Sequence, residues 1–221
     1  MTLKNIQVIG FDLDNTLYPS TDEMQGRIRK VIYERLAVEM DMPVRATEEL
    51  FEENYNGNFQ WSHSGSRTIE ELGRMVDRSL DGKEVVQQAI EQADILDLIQ
   101  PNPELNKMLG RLKQDYDLDL ISGTSYALVF AKLQRVGIEK EVFENISADR
   151  KFGSKTTGEV YQHWIQQRQT SPNQMLYVGD NKRQDVDSPK KLEILTCIVG
   201  KPYDNADYHI KDILELETLL K

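Results

Sequence analysis

The 221-residue sequence contains a single cysteine, which excludes an intramolecular disulfide and is typical of proteins from a reducing compartment. Cys197 stands in the apolar run 196–199, where we expect a buried structural thiol rather than a nucleophile. No apolar run approaches the roughly 20 residues needed to span a bilayer, and residues 1–5 show no secretory leader. These absences predict a cytoplasmic protein that makes no membrane contact.

Positive charge is also scarce, with 27 lysine and arginine residues against 37 aspartate and glutamate residues and a net charge of −10. Because nucleic-acid affinity comes largely from phosphate neutralisation by basic side chains, we do not expect a nucleic acid polymer as a partner. A small phosphorylated metabolite is compatible with this charge, since a local group of cations can hold one phosphate.

Short, nearly continuous apolar runs alternate along the chain with segments of helical periodicity. This pattern predicts an α/β fold in which a parallel sheet is covered by helices on both faces. The predicted strands are residues 8–11, 118–121, 142–146, 175–178 and 196–199.

The segment between the first two predicted strands, residues 21–98, has mostly helical periodicity. Helix starts are expected near Ser20 and Thr68, each with capping-box spacing to a glutamate, and near Val44 and Lys83. A connection of this length exceeds what a crossover requires. We therefore predict two domains, namely a sheet domain of residues 1–20 and 99–221 and an inserted all-α domain of residues 21–98.

Acidic side chains follow the predicted strands at their carboxyl ends. Asp12 and Asp14 follow the first strand, and Asp180 and Asp185 follow the fourth. Ligands of open α/β sheets bind at this edge, so these acids and Ser122, after the second strand, are expected to converge. Clustered carboxylates repel each other unless a cation compensates them, and a hard divalent ion with oxygen ligands does so. The sequence therefore predicts a Mg²⁺ site at this edge.

Four short motifs carry a resemblance to a known family. Residues 11–16 (Phe-Asp-Leu-Asp-Asn-Thr), the strand end at Ser122, Lys155 and the stretch 179–185 resemble, in order and spacing, the motifs of haloacid dehalogenase-like (HAD) hydrolases. Residues 207–210 resemble the last strand of that family, so the resemblance covers the whole chain. It implies a Rossmann-like HAD core with a parallel sheet and an inserted helical cap of the C1 type.

The resemblance also implies a mechanism, the hydrolysis of a phosphate ester. Asp12 would attack phosphorus and become an aspartyl phosphate, while Asp14 would act first as general acid and then as general base. Ser122 and the N–H group of Gly123 would hold phosphate oxygens. Lys155 would neutralise the nucleophile and the transferring group.

By the same resemblance, the Asp12 and Asp180 carboxylates and the Asp14 backbone carbonyl would hold Mg²⁺. Asp185 would act through a water molecule or by orienting Lys155. The acid at position 14 favours phosphate esters over organic halides, because a halide leaving group needs no proton.

Substrate choice depends on narrower features. Residues 14–20 resemble the start of a pyrimidine 5′-nucleotidase-like subgroup, which points to a nucleoside 5′-monophosphate. The polar and aromatic segment 54–67 lies between predicted cap helices, where Trp61, His63 or Arg67 could contact the leaving group of the substrate. The alternative is a loop that packs on its own helices.

Two alternatives to a phosphatase stay open. A phosphomutase would share the core residues and differ in its cap. A catalytically silent binding or regulatory protein would usually have lost one of the core acids or the lysine, which are intact here. The sequence departs from the family pattern where Lys155 is followed by Thr-Thr-Gly instead of Pro-Asp-Pro and where Ser188-Pro189 replaces Gly-Ala, and these changes affect loop shape more than charge.

Overall fold

The computed structural model describes residues 3–55 and 64–221, without the side chains of Lys4 and Ser64. Contacts between residues divide the chain into two compact units. The sheet unit comprises Met1–Ser20 and Ile99–Lys221, and the helical unit comprises Thr21–Leu98.

The sheet unit contains six strands among its described residues, in the spatial order β3-β2-β1-β4-β5-β6. Every pair of neighbouring strands is parallel, so the predicted parallel α/β fold is confirmed. The strands are β1 (Val8–Phe11), β2 (Asp117–Ile121), β3 (Asn145–Ser147), β4 (Met175–Gly179), β5 (Leu195–Val199) and β6 (Tyr208–Ile210).

The third strand begins later than its apolar run predicts. Residues 142–146 are expected to form a strand, whereas Val142 ends a 3-10 turn and β3 pairs with β2 only from Asn145 onward. Val142 and Phe143 are nevertheless buried. Their apolar character therefore reflects core packing and not strand pairing.

Helices connect the strands and form the inserted unit. None of the helices in the described part of the chain is both long enough and apolar enough to cross a membrane. The helices are α1 (Asp22–Met40), α2 (Val44–Asn54), α3 (Ser64–Met75), α4 (Gly82–Gln92), α5 (Pro103–Leu112), α6 (Tyr126–Val136), α7 (Glu159–Arg168), α8 (Ser188–Lys190) and α9 (Leu216–Leu220).

Buried aromatic side chains of α7 support the two central strands, β1 and β4. The ring centroids of Tyr161 and Trp164 lie 4.9 and 6.0 Å from that of Tyr177 on β4. A Cβ atom added at Gly10 on β1 would lie 2.7 Å from the Trp164 ring, so glycine is required for this close approach. Truncating such a buried ring typically costs about 3–5 kcal/mol. The cluster therefore contributes strongly to the position of the central strands.

The first helix of the helical unit is capped one residue later than predicted. The hydroxyl of Thr21, rather than that of Ser20, accepts a hydrogen bond from the N–H group of Met24 at 3.2 Å. The next helix, α2, begins at Val44 as predicted. Asp81 caps α4, because its carboxylate accepts from the N–H groups of the first turn.

The third helix begins four residues before its predicted start. It starts at Ser64, so Thr68 lies inside the helix and is buried, and the capping-box assignment at Thr68 is wrong. The first turn of α3 packs against α4. A Cβ atom added at Gly82 would lie 1.9 Å from the carbonyl oxygen of Ser66, so the first turn of α3 directly contacts the start of α4.

Candidate active site

The two central strands of the sheet end side by side. Phe11 pairs in register with Val178, and the N–H group of Asp12 donates to the Val178 carbonyl at 2.9 Å. The strand order reverses between β1 and β4, and such a switch point opens a crevice at the carboxyl ends of the strands. Asp12 and Asp180 therefore leave the sheet next to each other.

Three carboxylates meet in this crevice. Asp12, Asp180 and Asp185 each place one oxygen within 4.8 Å of the others. Lys155 Nζ lies 2.5 Å from Asp12 Oδ1 and 2.7 Å from Asp185 Oδ1, so two carboxylates share one ammonium group. Asp12, Asp185 and Lys155 are buried, and Asp180 is half-buried.

Asp185 reaches the crevice because of the backbone that follows β4. A Cβ atom added at Gly179 would lie 2.5 Å from the carboxyl carbon of Asp185, so glycine leaves the space that this carboxylate fills. The N–H group of Asn181 donates to Asp185 Oδ2 at 2.9 Å. Asp185 lies in a π-helical segment, Lys182–Asp187, a type of distortion that is frequent at functional sites.

Asn15 connects the first motif to Asp180. Its Nδ2 donates to Asp180 Oδ2 at 2.6 Å, and its Oδ1 accepts from the N–H group of Ser20 at 3.2 Å. The backbone of Asn15 has a φ of 63°, in the left-handed region that asparagine tolerates better than most residues. This residue therefore fixes the orientation of Asp180 from the loop that carries Asp12.

Asp14, two residues after Asp12, contacts a different set of groups. Its Oδ1 accepts from Lys132 Nζ at 2.5 Å and from the Tyr18 hydroxyl, and its Oδ2 accepts from the Thr124 hydroxyl at 3.0 Å. The Lys132 side chain is fully buried on α6, whereas that of Asp14 is 41% exposed. The partial burial of Asp14 raises its pKa, but Lys132 and the two hydroxyl donors outweigh that effect and lower the pKa.

The acids near Lys155 show the opposite shift. Burial raises the pKa of Asp12, Lys155 opposes the rise, and repulsion by Asp185 and Asp180 adds to it, which gives a pKa of about 8. Burial and repulsion by Asp185 raise the pKa of Asp180 to about 6, despite the hydrogen bond from Asn15. Burial lowers the pKa of Lys155, but its two carboxylate partners raise it well above the usual value, so Lys155 stays charged.

The charge balance and the donor atoms of these side chains fit a divalent cation. Four carboxylates face two ammonium groups, so the acids outnumber the cations by two. The candidate donors of Asp12, Asp180 and Asp185 are all oxygens, the ligands that hard cations such as Mg²⁺ prefer. A cation held there would favour the ionised forms of Asp12 and Asp180 and so lower their raised pKa values.

Lys155 lies in a turn before α7, which begins at Glu159. Glu159 Oε2 accepts from the N–H group of Ser154 at 3.2 Å and from the hydroxyl of Thr157 at 3.0 Å. Gly158 has a φ of 87° at the helix start, a conformation that glycine adopts without strain. These contacts fix the turn where the family pattern has Pro-Asp-Pro.

Ser122 and Gly123 follow β2, the other neighbour of β1. The Ser122 Oγ accepts from the N–H group of Thr124 at 3.2 Å, and the residue is buried. A Cβ atom added at Gly123 would meet nothing closer than Arg150 Nε, at 4.0 Å. The backbone at Gly123 therefore borders open space at the strand ends.

The three residues predicted to contact a leaving group belong to the inserted segment. Trp61 and His63 lie outside the described residues. Arg67 is exposed on α3 of the helical unit. A role in substrate contact for these residues stays a prediction.

Sequence reasoning did not identify Lys132, although a signal for it exists. Lys132 lies between Val129 and Leu133 on the apolar stripe of α6, and it continues the helical spacing of that buried face. A lysine at such a position must bring its charge to an acid or leave it uncompensated. The contacts of Asn15, Tyr18 and Thr124 gave no comparable signal, because residues with polar groups are common in loops.

Comparison with known proteins places this geometry in a family. Residues 9–199 match the family model described as haloacid dehalogenase-like hydrolase. The chain belongs to this family. The matched residues include all four motifs, so the family assignment made from those motifs is confirmed, and the protein is an enzyme of the HAD hydrolase class.

Relatives of this HAD hydrolase are distant in sequence but cover its whole length. A glyceraldehyde 3-phosphate phosphatase of Methanopyrus kandleri is 21% identical over 96% of this chain and 92% of its own. A HAD phosphatase structure from Thermococcus onnurineus has a TM-score of 0.66 at 19% identity, over 97% of this chain and 98% of its own. A HAD hydrolase structure from Bacillus subtilis, bound to magnesium, has a TM-score of 0.63 at 17% identity, over 99% of this chain and 100% of its own. At these identities the structures show a shared fold.

Proposed function

We propose that this HAD hydrolase is a Mg²⁺-dependent phosphatase that hydrolyses a small phosphate monoester through an aspartyl phosphate on Asp12. The observation that carries the proposal is the contact between Asp12 and Lys155 beside Asp180 and Asp185, at the switch point of the sheet. The family supplies the hydrolase class, and these side chains supply the nucleophile and the means to compensate phosphate charge.

Mg²⁺ would be held by the carboxylates of Asp12 and Asp180 and by the backbone carbonyl of Asp14, with Asp185 acting through water or by orienting Lys155. When bound, the ion supplies charge neutralisation for the phosphate and the surrounding acids. The oxygen-only donor set and the excess of acids support this assignment, and the Bacillus subtilis relative is described as bound to magnesium.

The first half of the proposed reaction transfers phosphorus to the protein. An Asp12 oxygen forms a bond to phosphorus, and the bond from phosphorus to the leaving oxygen breaks. Asp14 gives its proton to that leaving oxygen, so that an alcohol departs. Lys155, Ser122 and the N–H group of Gly123 hold the phosphate oxygens during the transfer.

The second half regenerates the acid. Asp14 takes a proton from a water molecule, the water oxygen forms a bond to phosphorus, and the bond from Asp12 to phosphorus breaks to release inorganic phosphate. The lowered pKa of Asp14 keeps its carboxylate ionised near neutral pH, which is the form that the base step requires. For the acid step Asp14 must first take up a proton, and the negative charge of a bound phosphate ester favours that uptake. The sum of both halves is the conversion of an ester and water to an alcohol and phosphate.

Glyceraldehyde 3-phosphate is the first substrate to test, since the Methanopyrus kandleri relative carries that activity in its name and aligns with nearly the whole chain. The resemblance at Leu17-Tyr18-Pro19 instead favours nucleoside 5′-monophosphates. However, the Tyr18 ring is buried and its hydroxyl binds Asp14, which explains this tyrosine without a nucleoside. Nucleoside monophosphates therefore form the second set of the screen.

The decisive experiment measures phosphate release from p-nitrophenyl phosphate and from a panel of phosphate esters, with Mg²⁺ or with EDTA. We expect release with Mg²⁺, little with EDTA, and loss of activity in Asp12→Asn. The matched control is Asp115→Asn, an exposed acid in the turn before β2, which is expected to keep wild-type activity. Equal rates for wild type and Asp12→Asn, or transfer of phosphate to a sugar hydroxyl without release, would contradict the proposal.

A further inference from the structure

Lys132 carries a charge in a place where a charge is costly. Its side chain on α6 has no exposed surface, and its ammonium group lies 2.5 Å from Asp14 Oδ1. Only the lysine of this pair is buried, and an ion pair that desolvates an ammonium group adds little to stability compared with well-packed apolar side chains of similar volume. The pair is therefore poorly explained by stability, and its acid is the residue to which the proposed mechanism gives both proton transfers.

Three donors fix both oxygens of the Asp14 carboxylate. Lys132 and the Tyr18 hydroxyl donate to Oδ1, and the Thr124 hydroxyl donates to Oδ2. These donors come from α6, from the loop after β1 and from the loop after β2, so the carboxylate is held from three parts of the sheet unit. A carboxylate offers about four acceptor positions, so this arrangement leaves roughly one for a water molecule.

We propose that Lys132, with Tyr18 and Thr124, positions the Asp14 carboxylate so that it accepts a proton from the water that hydrolyses the aspartyl phosphate. Lys132 is a positioning residue, because it acts through Asp14 and not on the substrate. This inference rests on the proposed function and assigns a residue to its second half.

The test separates the two half-reactions. With p-nitrophenyl phosphate the first half needs no proton donor, because nitrophenolate is a good leaving group, and kcat/KM reports that half. In Lys132→Met we expect kcat to fall about 100-fold, the usual size of a general base effect, while kcat/KM changes by less than about threefold. KM then falls together with kcat, an initial burst of nitrophenol appears, and phosphorylated enzyme accumulates.

Three further variants link the effect to Asp14. Asp14→Asn is expected to give the same pattern, and the double variant with Lys132→Met to be no slower than Asp14→Asn alone, because both changes remove one function. Tyr18→Phe, which keeps the ring and loses one donor, should show a smaller loss of kcat with kcat/KM retained. If Lys132→Met fails to fold, the kcat of Tyr18→Phe tests whether these donors position Asp14. Lys107→Met, an exposed lysine on α5, is the matched control.

Three outcomes overturn the proposal. The first is an equal loss of kcat and kcat/KM in Lys132→Met. The second is a double variant whose loss of kcat is the product of the losses in Lys132→Met and Asp14→Asn. The third is an unchanged kcat in both Lys132→Met and Tyr18→Phe. If the wild type hydrolyses no phosphate ester, the proposed function fails instead. The positioning claim is then judged from a crystal structure of Lys132→Met, where an unchanged Asp14 side-chain conformation contradicts it.

Discussion

Replacing Asp180 by asparagine tests whether the acids of the site repel each other when no cation is bound. Burial and repulsion by Asp185 raise the pKa of Asp180 from an ordinary value of 3.8 to about 6. The folded protein therefore binds this proton more tightly than the unfolded chain, and stability is lost as the pH rises from about 4 through 6. At pH 7 the loss amounts to about 3 kcal/mol.

Asparagine removes the charge and keeps the shape of the side chain. The exchange also weakens the hydrogen bond from Asn15, at a cost of about 0.5–1.5 kcal/mol. We therefore expect Asp180→Asn to be about 1.5–2.5 kcal/mol more stable than the wild type at pH 7 in EDTA. The gain should largely vanish near pH 4, where the folded wild-type carboxyl group is protonated and the unfolded one is only about half ionised.

Mg²⁺ should reverse this order. At a concentration of 100 times its dissociation constant, a ligand that binds only the folded state adds about 2.7 kcal/mol, and the variant lacks one of the proposed ligands. Urea unfolding, followed by circular dichroism, measures the free energy of unfolding of both proteins under four conditions, namely pH 7 and pH 4, each with EDTA or with MgCl₂. Asp115→Asn controls for the removal of one negative charge.

A variant less stable than the wild type in EDTA at pH 7 would refute the repulsion argument. Equal stabilisation of both proteins by Mg²⁺ would show that Asp180 does not bind the ion, and it would not affect the repulsion argument.

Three other predictions concern the loop after β1, the single thiol and the core. Asn15→Gly keeps a φ of 63° accessible but loses the donor to Asp180, so the Mg²⁺ concentration for half-maximal activity should rise about 10-fold; an unchanged Mg²⁺ titration contradicts this role. Burial raises the pKa of Cys197 to about 12, so Ellman's reagent should leave the native thiol unmodified and react in urea; rapid native labelling contradicts the burial. Asp119→Ala removes a buried partner of Arg168 and should lower the free energy of unfolding in urea by about 3–5 kcal/mol. Asp117→Ala removes an exposed partner of Arg168 and should lower it by less than about 1 kcal/mol, and equal losses would contradict the difference in burial.

The meeting of Asp12 with Asp180 could be anticipated from sequence because it depends on topology alone. Parallel strands expose their carboxyl ends at one edge, so an acid directly after each strand must lie at that edge. The apolar runs that define β1 and β4 are unambiguous, and the position of the acids follows from them. No knowledge of side-chain conformation was needed.

The partners of Asp14 could not be anticipated in the same way. The contact between Lys132 and Asp14 depends on how far a side chain reaches from the middle of α6, a property that strand order does not determine. The close approach of Ser66 on α3 to Gly82 at the start of α4 is likewise a contact between elements that neither local sequence predicts. Local patterns identify elements well, but contacts between elements decide their ends and their buried polar pairs.

The pKa values of the two acids of the first motif shift in opposite directions because Asp12 shares its lysine with another acid, whereas Asp14 does not. Lys155 is shared by Asp12 and Asp185, so the charge of Asp12 is incompletely compensated and its ionisation depends on a further cation. Asp14 pairs with Lys132 and accepts two hydroxyl hydrogen bonds, so its ionised form is stabilised by the protein itself. Removing Mg²⁺ should therefore impair the proposed nucleophile, and removing Lys132 the proposed base. Two acids only two residues apart can therefore act as nucleophile and as base, because different cation partners shift their pKa values in opposite directions.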